Sequence, residues 1–270
     1  MREAGALALQ TRAEGIGSEV KSTKEDIVTK GDLEVSKFLR AHLSGKYPGI
    51  AFMDEEVEGS ESLDVTQHAL VAVIDPIDGT TNYYNNGKPD TPESPANPNW
   101  GISVGIVKNG ELVAGAIYQP QLDRMFYAEK GKGAYVNGTR MHVSSTNSLS
   151  NARLQYDYPY PKDAREFALT SRVMPRLEKE VGIAYRIGSQ VIATMGVAQG
   201  KADMFVHLRT KPWDVAAAVL IVQEAGGVAL NVTGEPFALK NKSIVLTNGR
   251  IDVSKLIQIV YEELKALDLK

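Results

Sequence analysis

The chain's 270 residues suffice for one large or two modest domains, and a content of 43% hydrophobic and 23% charged residues excludes a disordered or fibrous chain. A net charge of −3 supplies no global basic field for nucleic acid, and the absence of cysteine excludes disulfides, thiolate metal sites and cysteine nucleophiles. Four scattered histidines against 33 Asp and Glu favour oxygen ligands, and with them a hard cation such as Mg2+. No apolar run reaches the roughly 18 residues of a membrane span. No basic region followed by an apolar stretch opens the chain, so a cytoplasmic protein without membrane contact is expected.

Residues 1–19 mix alanine, leucine and charge and predict a weak amphipathic helix broken near Gly15 and Gly17. A better helix is predicted over 30–46, with Asp32 as its cap and Leu33, Phe38, Leu39 and Leu43 on one apolar face. Tyr47-Pro48-Gly49 ends it, and a short strand from Ile50 to Met53 runs into Asp54-Glu55-Glu56. Ala69 to Ile74 is a continuous apolar run of buried-strand type that stops at Asp75-Pro76. Residues 85–99 hold four prolines and almost nothing apolar, which predicts a loop. Strands are predicted at 101–107, 111–118 and 124–128, with Lys108-Asn109-Gly110 as a hairpin turn between the first two, and the β-rich stretch continues through 131–137 and 141–144. The second half alternates: helices over 163–180, 190–198, 214–225 and 253–266, strands at 184–187, 202–206, 228–231 and 244–247. This order predicts helices layered on sheets, with an α+β part over 1–150 and an α/β part over 151–270.

The segment Asp75-Pro76-Ile77-Asp78-Gly79-Thr80-Thr81-Asn82 is the most informative. A buried strand delivers Asp75 at its C-terminal end, where α/β proteins place ligands. Two carboxylates flank the Ile77 carbonyl, a donor set suited to a hard divalent cation. Gly79 lets the backbone approach a bound group, and Thr80 opens a possible helix whose hydroxyl could hold a water. Asp-Pro and Asp-Gly are also ordinary turn dipeptides, so a metal site and a plain turn both stay open here. Asp54-Glu55-Glu56 reads more simply as a solvated acidic turn. Asp214, after Trp213 and before an apolar helix, is sufficiently explained as an N-cap.

The strings DPIDGTTN, EE after a strand, IGS before a helix and KPWDVAAAVLIVQEAGG together resemble the inositol monophosphatase family, the lithium-sensitive, magnesium-dependent phosphatase superfamily that includes fructose-1,6-bisphosphatases. The resemblance runs from about Lys21 to the last strand and implies a layered αβαβα sandwich, an α/β (α+β) fold. It implies metal ligands at Glu55, Asp75, the Ile77 carbonyl, Asp78 and Asp214, with Glu56 tuning the site. It implies that Thr80 with Asp32 activates the attacking water beside Glu55, that Gly79 and Thr80 amides cradle phosphate, that Gly188 and Ser189 line the substrate pocket, and that Lys21 lies on a loop near the active site. Two or three Mg2+ ions, or Mn2+, a small phosphate monoester as substrate and a homodimer follow from the same resemblance.

His207 stands where many inositol phosphatases carry an acid that contacts a sugar hydroxyl; imidazole can replace that contact, bind a second anionic group if protonated, or simply be structural. Arg209 and Lys211 just beyond read as solvated loop charges or as contacts to a second phosphate. Inositol-1-phosphate is the leading substrate expectation, with fructose-1,6-bisphosphate, histidinol phosphate and nucleotide 3′-phosphate as alternatives and an idle regulatory member as the non-enzymatic one. A calcium-binding module is disfavoured because the Asp-x-Asp-x-Asp-Gly loop is missing.

Overall fold

In the computed structural model, which describes residues 1–15, 18–20, 27–84, 96–157 and 164–267, helix α1 (Arg2–Ala13) turns Ala4, Ala8 and Thr11 inward. It ends before Gly15, whose φ of +84° leaves the helical region. Where the sequence predicts helix to residue 19, Ser18–Val20 is instead strand β1, paired antiparallel with β2 (Ile27–Thr29). Lys21 and most of the proline-rich stretch, 85–95, lie outside the described residues.

Helix α2 (Lys30–Lys46) corrects the expected cap. Thr29 is the N-cap, its hydroxyl accepting from the Gly31 amide at 3.1 Å, while Asp32 sits three residues on and accepts from the Thr29 amide at 2.8 Å. This reciprocal capping box satisfies two donors that the first turn would otherwise leave unpaired. The buried face is set by Val35 and Leu39, and Leu33, expected on it, is 51% exposed.

Strand β3 (Ala51–Asp54) pairs in parallel with β4 (Leu70–Asp78), which does not stop at Asp75 as its apolar run suggested. The pairing of β4 with β5 (Gly101–Lys108) shifts between Asp75, opposite Ser103, and Asp78, opposite Gly101. Pro76 has no N–H to give to the ladder, so the strand absorbs one extra residue as a bulge and continues. Helix α3 (Thr80–Tyr84) follows. β6 (Glu111–Gln119), β7 (Arg124–Glu129), β8 (Ala134–Val136) and β9 (Thr139–Arg140) complete a seven-stranded sheet in chain order, with β5 and β6 joined through Asn109 and Gly110, both at positive φ. Residues 141–144 form no strand; Val143 donates to the Ala225 carbonyl.

A second sheet has five strands: β10 (Arg153–Tyr156), β11 (Ile183–Tyr185), β12 (Met204–His207), β13 (Val228–Leu230) and β14 (Ile244–Thr247), in the order β11-β10-β12-β14-β13. The helices of this half are α4 (Ala164–Glu178), α5 (Gln190–Ala198), α6 (Pro212–Glu224) and α7 (Ser254–Ala266). Helices α1 and α2 cover one face of the large sheet, α5 and α6 fill the space between the sheets, and α4 and α7 cover the outer face of the second. The layers are therefore α, β, α, β, α, as expected.

Helix α6 lies unusually close to the large sheet. A Cβ on Gly105 would sit 2.8 Å from the Ala216 side chain, and one on Gly115 2.8 Å from the Ala217 carbonyl. Glycine on the strands and an alanine run on the helix allow this approach, which brings the first turn of α6 to the end of β4. A cavity of about 820 Å³ lies elsewhere, beside α2 and lined by Phe38, Val104 and Tyr127, and no candidate site residue borders it.

The second sheet is tied to its connections by Asp203, whose side chain is fully buried. Burial opposes its ionisation, but donors from the Arg153 side chain, Ser144 and the Arg153 amide outweigh that and hold the carboxyl down at about 2. A group at about 2 when folded and 3.8 when free stabilises the fold above pH 3.8, and that contribution disappears as pH falls toward 2. Asp203→Asn is expected to flatten this acid limb and to cost about 2 kcal/mol at pH 7 through weakened charge-assisted hydrogen bonds. Urea unfolding of both proteins at pH 7 and pH 2 checks it: an unchanged difference between the two pH values would show that Asp203 is not the titrating group.

Candidate active site

The acidic cluster is assembled by three separate elements. The β3/β4 register places Asp54 opposite Ile74, and the Glu55 amide donates to the Ile74 carbonyl at 3.2 Å, so Glu55 leaves β3 beside Asp75. Asp214 enters from the first turn of α6. Glu55, Asp75 and Asp214 each present a carboxylate oxygen within 4.8 Å of the others. Asp75 is 1% exposed and Asp214 7%. Burial, then the charges of Asp78 and Glu55, push the Asp214 carboxyl well above its ordinary range, against hydrogen bonds from the Lys211 amide and Gln190. Three carboxylates from separate elements with oxygens this close are a donor set that a hard divalent cation fits by charge and by ligand type.

Asp214 is not the N-cap that its position suggested. Lys211 holds that place, Pro212 opens the helix, and Asp214 accepts from the Lys211 amide at 3.1 Å. Asp78 stands beside the trio but is engaged with α5: its Oδ2 accepts from the Ser189 hydroxyl and from the Val191 amide at 2.9 Å. Burial raises its carboxyl to about 7, and the nearby Glu55 and Asp157 charges add to the effect while the Ser189 and Val191 donors oppose it.

The acidic turn is not a solvated one. Asp54 is fully buried, accepting from Ser36 Oγ at 2.8 Å and the Glu56 amide at 2.9 Å, with Arg40 Nε at 3.4 Å. Asp54 thereby anchors the turn that carries Glu55, and Glu56 joins it through its backbone.

Just past the end of β4, Thr80 Oγ1 lies 3.2 Å from Asp32 Oδ1 and 3.0 Å from the Ile77 carbonyl, joining residues from α2 and α3. Asp32 is 1% exposed, and its Oδ2 is committed to Thr29. Gly79, at φ +83°, packs so tightly that a Cβ would lie 2.9 Å from the Asn99 carbonyl and 3.1 Å from that of Gly188. Thus the Gly79-Thr80 turn and the Gly188-Ser189 turn abut. Asn82 clasps them, its Nδ2 lying 2.6, 2.9 and 3.0 Å from the Asn99, Ile187 and Gly188 carbonyls. Asn82 closes the string DPIDGTTN, and its role comes only from these contacts across the fold.

A family model of the inositol monophosphatase family matches residues 1–265. The chain belongs to that family. An inositol-1-monophosphatase of Bacillus subtilis is 32% identical over 252 residues, which is 93% of this chain and 90% of the relative. A fructose-1,6-bisphosphatase/inositol-1-monophosphatase of Thermotoga maritima is 32% identical over 248 residues, 91% and 88% of the two chains. The solved structure of a Thermotoga maritima IMPase superposes with a TM-score of 0.81 at 29% identity over 99% of this chain and 96% of that one. As a member of the inositol monophosphatase family the chain is an enzyme, a phosphoric monoester hydrolase.

Within this family fold, His207 ends β12 2% exposed, stacked on Phe205, with Nδ1 3.3 Å from the Arg209 amide. Burial and the Arg186 charge push its imidazole down to about 3, so it is neutral at physiological pH. Lys211 Nζ pairs with Glu61 and lies 5.6 Å over the Trp213 ring, while Arg209 is exposed in the turn between β12 and α6. Gln190 was missed: its Nε2 donates to Asp214 Oδ2 at 2.7 Å. Glu224, read only as part of a signature, accepts from the Gly131 and Gly133 amides at 2.7 Å each and staples the turn after β7 to the end of α6. No helix of the described residues is long and apolar enough to cross a membrane.

Proposed function

We propose that this enzyme releases inorganic phosphate from a small sugar or cyclitol phosphate, with inositol-1-phosphate the leading substrate, in a Mg2+-dependent hydrolysis. The observation that carries the proposal is the convergence of Glu55, Asp75 and Asp214 around β4, the strand that leads directly into Thr80 and its bond to Asp32. Glu55, Asp75 and Asp214, with Asp78 and the Ile77 carbonyl, would hold the Mg2+ ions. Bound there, Mg2+ supplies Lewis-acid charge to the phosphoryl ester and its departing oxygen.

The protein's own residues supply placement and a route for one proton. With its proton directed to Asp32 Oδ1, Thr80 Oγ1 turns a lone pair outward to a water. As that water's oxygen attacks phosphorus, its proton passes to Thr80 Oγ1 while the Thr80 proton passes to Asp32 Oδ1. The ester P–O bond breaks, the alcohol product takes a proton from solvent, and Asp32 returns its proton to solvent, which restores the pair. The abutting Gly79 and Gly188 turns leave backbone, not side chain, next to the reacting group, which suits a crowded phosphate. No covalent phosphoenzyme is needed.

A second reading is fructose-1,6-bisphosphate hydrolysis. It is favoured by the names of the Thermotoga maritima and Aquifex aeolicus relatives and by Arg209, exposed in the turn that leads into the helix of Asp214. A phosphate-release screen over inositol-1-phosphate, fructose-1,6-bisphosphate, histidinol phosphate and nucleotide 3′-phosphates, with and without Mg2+, tests both. If the bisphosphate is used, Arg209→Ala is expected to lower its kcat/KM about tenfold relative to inositol-1-phosphate, the loss of one charge-assisted contact. An unchanged ratio would remove Arg209 from substrate recognition, and Mg2+-independent turnover would sink the proposal as a whole.

A further inference from the structure

We infer that Gln190 is a positioning residue for Asp214, and that the Thr210–Gln190–Asp214 chain sets how firmly the acidic cluster holds a divalent cation. The inference rests on the reading above and assigns a residue that reading does not use.

Gln190 is the first residue of α5, directly after the Gly188-Ser189 turn, and its side chain reaches the start of α6. Nε2 donates to Asp214 Oδ2 at 2.7 Å, and Oε1 accepts from the Thr210 hydroxyl at 3.1 Å. An ionised carboxylate only accepts, so the amide must turn its NH2 to Asp214 and its carbonyl to Thr210, whose hydroxyl is the matching donor. The Lys211 amide donates to the same Oδ2 at 3.1 Å. Two donors on one oxygen fix the rotation of the carboxylate, and Oδ1 takes no donor among the described residues.

That restraint matters because of what surrounds Asp214. Oxygens of Glu55 and Asp75 lie within 4.8 Å of its own, and like charges so close drive a loosely held carboxylate to rotate away. A neutral amide resists the rotation without cancelling the negative charge that a cation requires. A lysine or arginine in its place would hold Asp214 equally well but would compete with the cation. Thr210, 4% exposed, in turn holds the amide. The arrangement is an outer support of the kind that tunes the ligands of metal sites.

The test titrates Mg2+ into the full chain without substrate, read by heat and by tryptophan emission, for the parent, Gln190→Ala, Gln190→Met, Thr210→Val and Asp75→Asn. Unfolding midpoints in EDTA are measured alongside. Gln190→Ala and Gln190→Met are expected to weaken Mg2+ binding by about 10- to 100-fold, in line with the loss of an outer-sphere partner. Thr210→Val is expected to weaken it less, in the same direction. In steady state the Mg2+ needed for half-maximal rate rises by the same factor, while kcat recovers at saturating Mg2+. Unchanged Mg2+ affinity in both folded Gln190 variants, with affinity lost in Asp75→Asn, overturns the inference and leaves the phosphatase reading standing. Affinity losses matched by loss of stability in EDTA in both variants would make Gln190 merely structural and overturn it too. A parent chain that binds no Mg2+ overturns both readings together.

Discussion

Replacing Asp75 by asparagine is expected to lower phosphate release roughly a thousandfold, about 4 kcal/mol at the transition state, while the fold persists. Asp75 is 1% exposed and shares a space of 4.8 Å with oxygens of Glu55 and Asp214. Asparagine keeps the shape and removes one negative charge from a buried like-charge group. The metal-free protein should therefore unfold at the same temperature or a higher one, because repulsion is relieved. Mg2+ that binds the folded state alone is expected to raise the unfolding midpoint of the parent, and this rise should vanish in the variant. The two readouts move in opposite directions, which separates a lost site from a damaged fold. Near-parental turnover, or a midpoint that still rises with Mg2+, would remove Asp75 from the proposed site.

The second large effect is expected at the Thr80–Asp32 pair. Thr80→Val removes the hydroxyl that lies 3.2 Å from Asp32 Oδ1 and should reduce kcat by about 10²- to 10⁴-fold, the span of a lost general acid–base contribution. KM and the Mg2+ requirement should change little, because none of the cluster carboxylates is touched. Thr80→Ser keeps the hydroxyl and should retain most of the rate. Asp32→Asn should lose a comparable factor in kcat and also about 1 kcal/mol of stability, since the same carboxylate accepts from the Thr29 amide in the capping box of α2. Residues that act as one unit are strongly non-additive. The double variant should therefore be no slower than the slower single one. Multiplied losses in the double variant would mean that Thr80 and Asp32 act separately.

Elements whose signals are local were legible in the sequence. The apolar run into Asp75, the Asn109-Gly110 hairpin and the span of α5 needed only neighbouring residues to be read. The errors share a cause. Asp32 and Asp214 look like N-caps, yet each lies at the third helical position, because Thr29 and Lys211 lead these helices. Strand β10 (Arg153–Tyr156) escaped notice because Arg153 and Gln155 dilute its pattern, and its place comes from parallel pairing with strands distant in the chain. Asp54 reads as surface charge until Ser36 and Arg40 of α2 are seen to pack on it. Gln190 carries no distinguishing sequence mark, and Asn82 and Glu224 lie within the signature strings without revealing their roles, since each works by reaching backbone or carboxylate groups far along the chain.

By itself the sequence determined the chemistry available: oxygen donors without thiols, a strand that ends in two carboxylates around a proline, and a set of strings that resemble one family. Periodicity, capping and turn preference act over a few residues, so they specify elements and leave the distances between elements open. Only the tertiary structure decided that Glu55, Asp75 and Asp214 share one space. That outcome depends on β3 pairing in parallel with β4 and on α6 lying against Gly105 and Gly115 closely enough to deliver its first turn there. These are matters of packing between surfaces, where the absence of a single Cβ on a strand sets how near a helix can come.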